Sequence, residues 1–334
     1  MKTISIKDDI CIKGELTTCG SKMLANFKPP YNATVVDKLA AACFNVIGGN
    51  TMDENSSIDA DFALCSDHAG LARRFAMANS LIALKPTYGS VSRYGLITPA
   101  PSLDQISPIG KTVRDVAELY SVICGMDERD STTVERDYPN FCENLDKGIE
   151  GIIVGTAFCR PQQNILGGKM PPLQKTIPIE LPSIEYASTV FQIIAYAETF
   201  SNLARYDGIK FGYRSENAAT LAELYENTRA EGFGYDTKKQ IITGAIALSR
   251  DNRHLYYDRA IRGRAKLCAE LDNAFAQSDV IITPLDDSWT VIPNLTGCPA
   301  IAVGGIQIIA PKFSEELLFR AARTIEIAGG DSNA

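Results

Sequence analysis

The run from Leu84 to Thr132 reads LKPTYGSVSRYGLITPAPSLDQISPIGKTVRDVAELYSVICGMDERDST and contains the most clearly delimited helix of the chain. Thr112 and Asp115 have the spacing of a capping box, in which each side chain caps the other residue's backbone. Apolar residues then recur at helical spacing until Gly125, which predicts the end of the helix. They are Val113, Val116, Leu119, Tyr120 and Ile123.

On both sides of this segment, short apolar runs alternate with longer helical patterns. Runs rich in Ile and Val that are too short for typical helices suit strands buried in a sheet. They are Thr3–Ile6, Phe44–Ile47, Gly151–Gly155, Ile177–Leu181, Val280–Thr283, Ala300–Val303 and Ile306–Ile309. Further helices are predicted at Thr34–Ala42, Ser188–Ala204, Glu216–Ala230, Thr237–Leu248, His254–Gln277 and Ser314–Ile327. The alternation predicts an α/β protein. A stretch rich in Gly, Pro and Gln at about 160–175 predicts a flexible loop.

The composition is that of a globular protein without a general affinity for polyanions. Of 334 residues, 45% are hydrophobic and 22% are charged, which is enough apolar material for a large core. The net charge is −7, so the chain as a whole does not attract phosphate backbones or anionic membranes. We therefore expect any RNA to be held by a partner.

Cysteine usage and the first residues predict a cytoplasmic protein without metal or other cofactor. Nine cysteines occur with no C-x-x-C pair, and the two histidines are isolated, which argues against a zinc site. The odd count without framework spacing suits reduced thiols. The start, MKTISIKDDI, is too polar for a signal peptide, and no apolar run approaches the roughly 18 residues of a membrane span.

Upstream of the quoted run, Asp61–Ala76 reads DFALCSDHAGLARRFA. This stretch resembles the pattern G-S-D-T-G-G-S-I-R-Q-P of the amidase signature family, and so does the run from Leu84. Other blocks follow in the family's order, and the similarity extends from Lys7 to about Gly329. They are Lys7–Ile10 (KDDI, where the family has K-D-N-I), Pro29–Val36 (PPYNATVV), Glu198–Gly212 (ETFSNLARYDGIKFG) and Asn294–Ala300 (NLTGCPA).

The resemblance implies the amidase-signature fold, a mixed central β-sheet covered by helices on both faces. We expect one domain over residues 1–334, trimmed at the N-terminus and in the catalytic region. Within the family, the blocks are most similar to A subunits of glutamyl-tRNA(Gln) amidotransferases. Such subunits release ammonia from glutamine for a B subunit, which converts Glu-tRNA(Gln) to Gln-tRNA(Gln), while a small C subunit braces the pair. The implied partners are therefore the B and C subunits, glutamine if the pocket survives, and tRNA only through the partner.

The family's catalytic residues are a nucleophilic serine, a relay serine and a lysine, which must be neutral to act as a base. By the resemblance, Lys7 occupies the base position, although without a relay serine the favoured alternative is a structural or surface lysine. Leu71, which has no nucleophilic atom, occupies the position of the nucleophile. The glycine-rich stretch that carries the relay serine is absent, because only NTMDENSSIDADF stands between residues 50 and 62. Ser56 and Ser57 are candidate remnants, but no glycines flank them.

Three further residues are candidates for substrate binding. Ser66 matches the first serine of the motif. Asp287 matches the acid that receives the substrate's amino group, although a solvated acid beside Asp286 is the alternative. Lys239 lies in the block DTKKQI, where the family's E-V-K-R-R-I carries an arginine that grips the substrate carboxylate. A lysine supplies the charge without the bidentate fork.

Three local patterns leave alternatives open. Residues 65–68, Cys-Ser-Asp-His, contain the types of a rebuilt nucleophile, base and orienting acid, although sequence neighbours seldom converge on one reacting atom. Arg250–Lys266 has six basic and two acidic residues, which suits a partner-facing stripe or the solvated face of a helix. Trp289 suits either a cleft or the core.

Three functional hypotheses follow, and whether the chain is an enzyme stays open among them. It is a non-catalytic scaffold or regulatory paralogue, an active glutaminase with an incomplete gene model or a rebuilt site, or a decaying product. Leu71 argues against the second, since a truncation does not change serine to leucine. The regular apolar patterns argue against the third, and the first is favoured.

Overall fold

The computed structural model describes residues 2–50, 52, 58–157 and 175–330. Most of the predicted loop at 160–175, together with Ser56 and Ser57, lies outside the described residues. The strands are β1 Thr3–Lys7, β2 Asn45–Asn50, β3 Phe62–Ser66, β4 Ile82–Lys85, β5 Ile106–Gly110, β6 Ile153–Thr156, β7 Lys175–Pro178, β8 Val280–Thr283, β9 Ala300–Val303 and β10 Ile306–Ile309. The helices are α1 Thr34–Ala41, α2 Leu71–Ala78, α3 Val113–Ile123, α4 Ala187–Leu203, α5 Leu221–Gly232, α6 Tyr235–Leu248, α7 Tyr257–Phe275, α8 Asp287–Thr296 and α9 Glu315–Gly330.

These strands form one mixed sheet in the order β2-β1-β3-β5-β4-β9-β10-β8-β6-β7. The two ends of the sheet are parallel, since β1 pairs in parallel with β2 and β3, and β6 pairs in parallel with β8 and β7. The strands between them are antiparallel. The α/β class and the mixed central sheet are therefore confirmed.

Helices cover both faces, because successive side chains of a strand point to opposite sides. In β3, Phe62 and Leu64 join one hydrophobic cluster, to which α1, α3 and α9 contribute. Ala63 and Cys65 point the other way, into a cluster with α2. Farther along that second face, Ile281 and Ile309 pack with α4, α7 and α8.

Helix α3 forms as its sequence predicts. The backbone N–H of Asp115 donates to Thr112 Oγ1 at 3.1 Å, and the N–H of Thr112 donates to Asp115 Oδ2 at 2.9 Å. All five apolar residues of the predicted stripe are buried. The helix ends at Ile123, two residues before Gly125.

Helix α8 was missing from the sequence prediction, because Pro293 lies inside it. A proline lacks the N–H that would bond the carbonyl four residues earlier, here that of Trp289. In the structure, the side-chain amide of Gln307 on β10 donates to Trp289 O at 3.1 Å. A tertiary contact therefore replaces the lost helical bond, and no local pattern reveals it.

Candidate functional site

Two parallel strands bring the first site residues together. Parallel neighbours end at the same edge of a sheet, and β1 and β3 pair with Ile6 opposite Leu64. Lys7 closes β1 and Ser66 closes β3, so both side chains lie at this edge. Lys7 Nζ is 3.4 Å from Ser66 Oγ, and Ser66 is buried.

Asp9 joins these two residues, and the sequence did not single it out. Its Oδ2 lies 3.0 Å from Lys7 Nζ and accepts from the Ser66 hydroxyl at 2.5 Å. Its Oδ1 is buried and has no hydrogen-bond partner among the described residues. Burial acts to lower the pKa of Lys7, but the nearby groups, first among them the Asp9 carboxylate, raise it, and the pKa lies above its ordinary value of 10.5. Lys7 is therefore an ammonium ion at neutral pH.

A second lysine, Lys85 at the end of β4, has the opposite electrostatics. Its side chain is fully buried, and Nζ donates to Pro86 O at 2.6 Å. Burial, together with the nearby charge of Arg73, lowers the pKa of Lys85 to about 7. This lysine has the pKa of a base but is enclosed, whereas Lys7 is partly accessible and charged.

The turn before α2 has a backbone shape that glycine favours at two successive residues, although the first of them is an alanine. Ala69 has φ 51° and ψ 30°, and Gly70 has φ 80° and ψ 17°. Both lie in the left-handed region, which costs a residue with a Cβ about 1–2 kcal/mol. Leu71, which the sequence analysis predicts at the position of the family's nucleophile, follows as the first residue of α2 and offers only a hydrocarbon side chain.

We expect Ala69→Gly to stabilise the protein by about 0.5 kcal/mol. Relief of the left-handed strain exceeds the conformational freedom and the partly buried methyl group that the change sacrifices. Chemical denaturation measures the difference. The control Ala76→Gly, in the right-handed interior of α2, should instead destabilise by about 1–2 kcal/mol, because it loses helix propensity and buried area. A loss of stability in both variants would contradict the strain at Ala69.

A network of buried polar side chains stabilises this turn. Arg73 is fully buried, and its Nε and Nη2 donate to Asp67 Oδ2 at 3.1 and 2.7 Å. Nη2 also donates to Asn294 Oδ1 of α8 at 2.8 Å, and Nη1 donates to Gln307 Oε1 of β10. Asn294 Nδ2 donates in turn to Asp67 O at 2.6 Å. The network connects the end of β3, helix α2, helix α8 and the middle of the sheet.

The four neighbours at 65–68 contact different partners. Cys65 is fully buried within β3, and burial raises the pKa of its thiol. Ser66 bonds to Asp9, Asp67 bonds to Arg73, and His68 Nδ1 lies 2.7 Å from Asp104 Oδ1. The functional groups therefore do not converge in this structure.

His68 and Asp104 nevertheless form a pair of the kind that can take part in acid–base catalysis. Asp104 is buried and also accepts from the Thr98 hydroxyl, while the His68 side chain is 32% exposed. Burial acts to lower the pKa of His68, but the Asp104 carboxylate outweighs it and raises that pKa. A carboxylate that orients an imidazole is the second half of many general-base arrangements.

The two predicted ligands of the substrate termini lie at the surface. Asp287, the first residue of α8, is 84% exposed and pairs with Arg74 Nη2 at 2.7 Å. Lys239 is exposed on α6. On the opposite side of that helix, Gly244 packs against the backbone of Tyr196 in α4. Substrate binding by either residue stays a prediction.

The structure also places Trp289 and the basic segment Arg250–Lys266. Trp289 is 7% exposed and packs in the hydrophobic cluster of the second face. In Arg250–Lys266 five basic side chains are exposed, and the sixth, Arg264, donates through Nε to Leu295 O at 2.6 Å.

The described part of the chain contains neither a metal-binding cluster nor a membrane-spanning helix. Across residues 2–50, 52, 58–157 and 175–330, no three His, Cys, Asp or Glu side chains group in a way that could hold a metal ion. Within these ranges no helix has the length and apolar character needed to cross a membrane.

Comparison with known proteins adds a family to this geometry. The family model described as Amidase matches residues 3–59, 56–165 and 173–292. The chain belongs to the amidase family. Among curated relatives, the A 2 subunit of glutamyl-tRNA(Gln) amidotransferase from Clostridium acetobutylicum is 36% identical over 97% of this chain and 84% of its own length.

Solved structures agree with the family's fold. The crystal structure of the A subunit of glutamyl-tRNA(Gln) amidotransferase from Thermotoga maritima is 29% identical, with a TM-score of 0.74 over 97% of this chain and 82% of that one. The peptide amidase from Stenotrophomonas maltophilia, at 21% identity, shares the fold with a TM-score of 0.76 over 98% of this chain and 82% of that one.

The alignment with the Clostridium protein also reveals missing segments. It runs over 404 residues, which exceeds the 334 residues of this amidase-family chain by 70. At least that many residues of the relative therefore have no counterpart within the matched part of the chain. That the missing residues belong to the catalytic region stays a prediction.

The structure adds residues that sequence reasoning missed, namely Asp9, Asp104 and Gln307. For Asp9 a signal was present, since KDDI has an acid where the family pattern K-D-N-I has an amide. For Asp104 there was none, because 36 positions separate it from His68.

Proposed function

We propose that this amidase-family chain is a non-catalytic relative of the glutamyl-tRNA(Gln) amidotransferase A subunits and acts as a scaffold or regulatory protein. The observation that carries the proposal is Leu71. It stands at the nucleophile position, on a turn that keeps the left-handed backbone of Ala69 and Gly70. Amide hydrolysis through an acyl-enzyme requires a nucleophilic oxygen or sulfur there. A hydrocarbon side chain supplies neither.

The state of Lys7 supports the same proposal. A lysine acts as a base only when it is neutral, yet the carboxylate of Asp9 holds Lys7 in its charged form. The Ser66 hydroxyl also donates to Asp9 and has no free proton to pass on. The Lys7 ammonium and the Ser66 hydroxyl are therefore both engaged by Asp9 Oδ2.

The proposed partners are the B and C subunits of the amidotransferase, and tRNA would be contacted only through them. Support comes from the relatives, which are named as A subunits and match this chain almost from end to end. A family member without hydrolytic activity can still use the outer surface of the fold. We expect it to form a complex without supplying ammonia.

An active amidase with a rebuilt site is the second candidate, and the His68–Asp104 pair is the observation that favours it. The imidazole is oriented and partly exposed beside the turn at Ala69. Such a pair can activate a water molecule or an external nucleophile. The divergence of the neighbouring Cys65, Ser66 and Asp67 side chains weighs against a complete rebuilt triad.

A glutaminase assay separates the two candidates. With glutamine and simple amides, we expect ammonia release by the wild type to stay at the buffer background. That means below about 10⁻³ s⁻¹, some 10⁴-fold under a typical turnover of about 10 s⁻¹. Leu71→Ser alone should not restore activity, because Lys7 remains charged. Release above background that disappears in Lys7→Ala would overturn the proposal, and release that disappears in His68→Asn would establish the second candidate.

The partner half of the proposal needs its own measurement. The chain should co-elute in size-exclusion chromatography with the B and C subunits encoded in the same genome. An Asp9→Asn variant should assemble equally well, since the change lies at the buried sheet edge. Failure of the wild type to assemble would refute the scaffold role while leaving the absence of hydrolysis intact.

A further inference from the structure

The cluster of Lys7, Asp9 and Ser66 contains a change that the loss of the nucleophile does not explain. The segment Lys7–Ile10 reads KDDI, whereas the family pattern is K-D-N-I. The altered position is Asp9, whose carboxylate is the group that contacts the lysine and the serine. The site therefore differs beside its retained lysine as well as at the predicted nucleophile position.

We propose that Asp9 is a positioning residue that locks Lys7 as an ammonium ion and captures the Ser66 hydroxyl, so that the retained lysine cannot act as a base. This inference deepens the proposed function and rests on it. It assigns the chain a second block on amide hydrolysis, independent of Leu71. The base position is then a structural ion pair that fastens the end of β1 to the end of β3.

The geometry explains why a carboxylate is needed. One oxygen of Asp9, Oδ2, pairs with the Lys7 ammonium at 3.0 Å and accepts a hydrogen bond from the Ser66 hydroxyl at 2.5 Å. The side chains of Lys7 and Asp9 are only 19% and 9% exposed, so water screens their attraction weakly. An asparagine oxygen in the same place would accept the same hydrogen bonds without a full negative charge. Burial would then dominate and favour the neutral amine.

The other titratable groups near Lys7 do not replace Asp9. Cys65 on β3 and Cys19 on the loop after β1 contribute to its electrostatics. Burial raises the pKa of both thiols, so they are neutral at physiological pH. The charge of Lys7 lowers the pKa of His68, and by the same repulsion a positive charge on His68 disfavours the Lys7 ammonium. Among the described groups that act on Lys7, Asp9 thus supplies the negative charge.

Direct titration of Lys7 tests the lock. Protein labelled with ¹³C-lysine is titrated by NMR through the Cε resonance, with Lys7→Arg identifying the signal. In the wild type we expect the midpoint to lie above the ordinary lysine value of 10.5. In Asp9→Asn it should fall below that value, because burial is no longer opposed. A wild-type midpoint below the ordinary value overturns the proposal, whether or not the variant folds.

A matched control is the neighbouring acid. Asp8 accepts from the backbone and the hydroxyl of Thr18, so Asp8→Asn removes one negative charge next in sequence without removing a contact to Lys7. In Asp8→Asn, the titration midpoint of Lys7 should equal that of the wild type. Equal midpoints in wild type and Asp9→Asn would refute the lock. The glutaminase assay is independent of this result, so failure of the lock and failure of the non-catalytic proposal are distinguishable.

Discussion

Arg73→Met is expected to lower the free energy of unfolding by about 3–5 kcal/mol, the usual cost of breaking a buried ion pair by removing one partner. Methionine has a similar length, so the loss comes from the charge and not from a cavity. The Asp67 carboxylate would remain buried without its two guanidinium donors. Asn294 and Gln307 would each lose a donor as well. Urea denaturation followed by circular dichroism measures the loss.

The adjacent Arg74 provides the control. Its ion pair with Asp287 has the same 2.7 Å separation as the shortest contact between Arg73 and Asp67, but Asp287 is 84% exposed. Arg74→Met should therefore cost no more than about 1 kcal/mol. Asp67→Asn in the Arg73→Met background should recover part of the loss, since it removes the unpaired charge. Similar costs for the two arginine variants would contradict the role of the network.

Gly70→Ala is expected to cost about 3–4 kcal/mol, from two independent sources. A Cβ at this position would lie 1.8 Å from Thr290 Cγ2 on α8, so the helices must separate. Such overpacking costs about 1–3 kcal/mol. The left-handed φ of 80° adds the strain of about 1–2 kcal/mol that glycine avoids. Thermal and urea unfolding both report the sum.

Two variants separate the sources. Gly14 has nearly the same φ, 79°, and a methyl group added there would meet no described atom within 4 Å, so Gly14→Ala should show the backbone strain alone. Thr290→Ser removes the clashing methyl group, and in this background Gly70→Ala should cost only about as much as Gly14→Ala. If Thr290→Ser leaves the cost of Gly70→Ala unchanged, the clash with Thr290 does not contribute to that cost and this explanation is wrong.

Arg73→Met and Gly70→Ala both test how rigidly the turn at residues 67–71 is held. The polar network fixes its start, and contact with Thr290 fixes its end. This precision serves catalysis when the next residue is a nucleophile. Here the next residue is Leu71, so under the proposed function a costly turn precedes a hydrocarbon side chain.

Local sequence was sufficient where each element carries its own signals. The capping box at Thr112 and the apolar runs Val280–Thr283 and Ala300–Val303 predicted their elements within a residue or two. It failed for β3 and α2, which were read as a motif and not as a strand followed by a helix. A motif match records identity of residues, whereas the strand is defined by its pairing with β1 and β5.

The sequence by itself determined the family, the mixed α/β fold and the hydrocarbon at Leu71, because each depends on which residues stand in which order. The tertiary structure decided the state of Lys7. The charge of a lysine depends on what lies within a few ångströms and on how much water screens it. Only the parallel ends of β1 and β3, with Asp9 folded between them, bring that carboxylate 3.0 Å from the ammonium group.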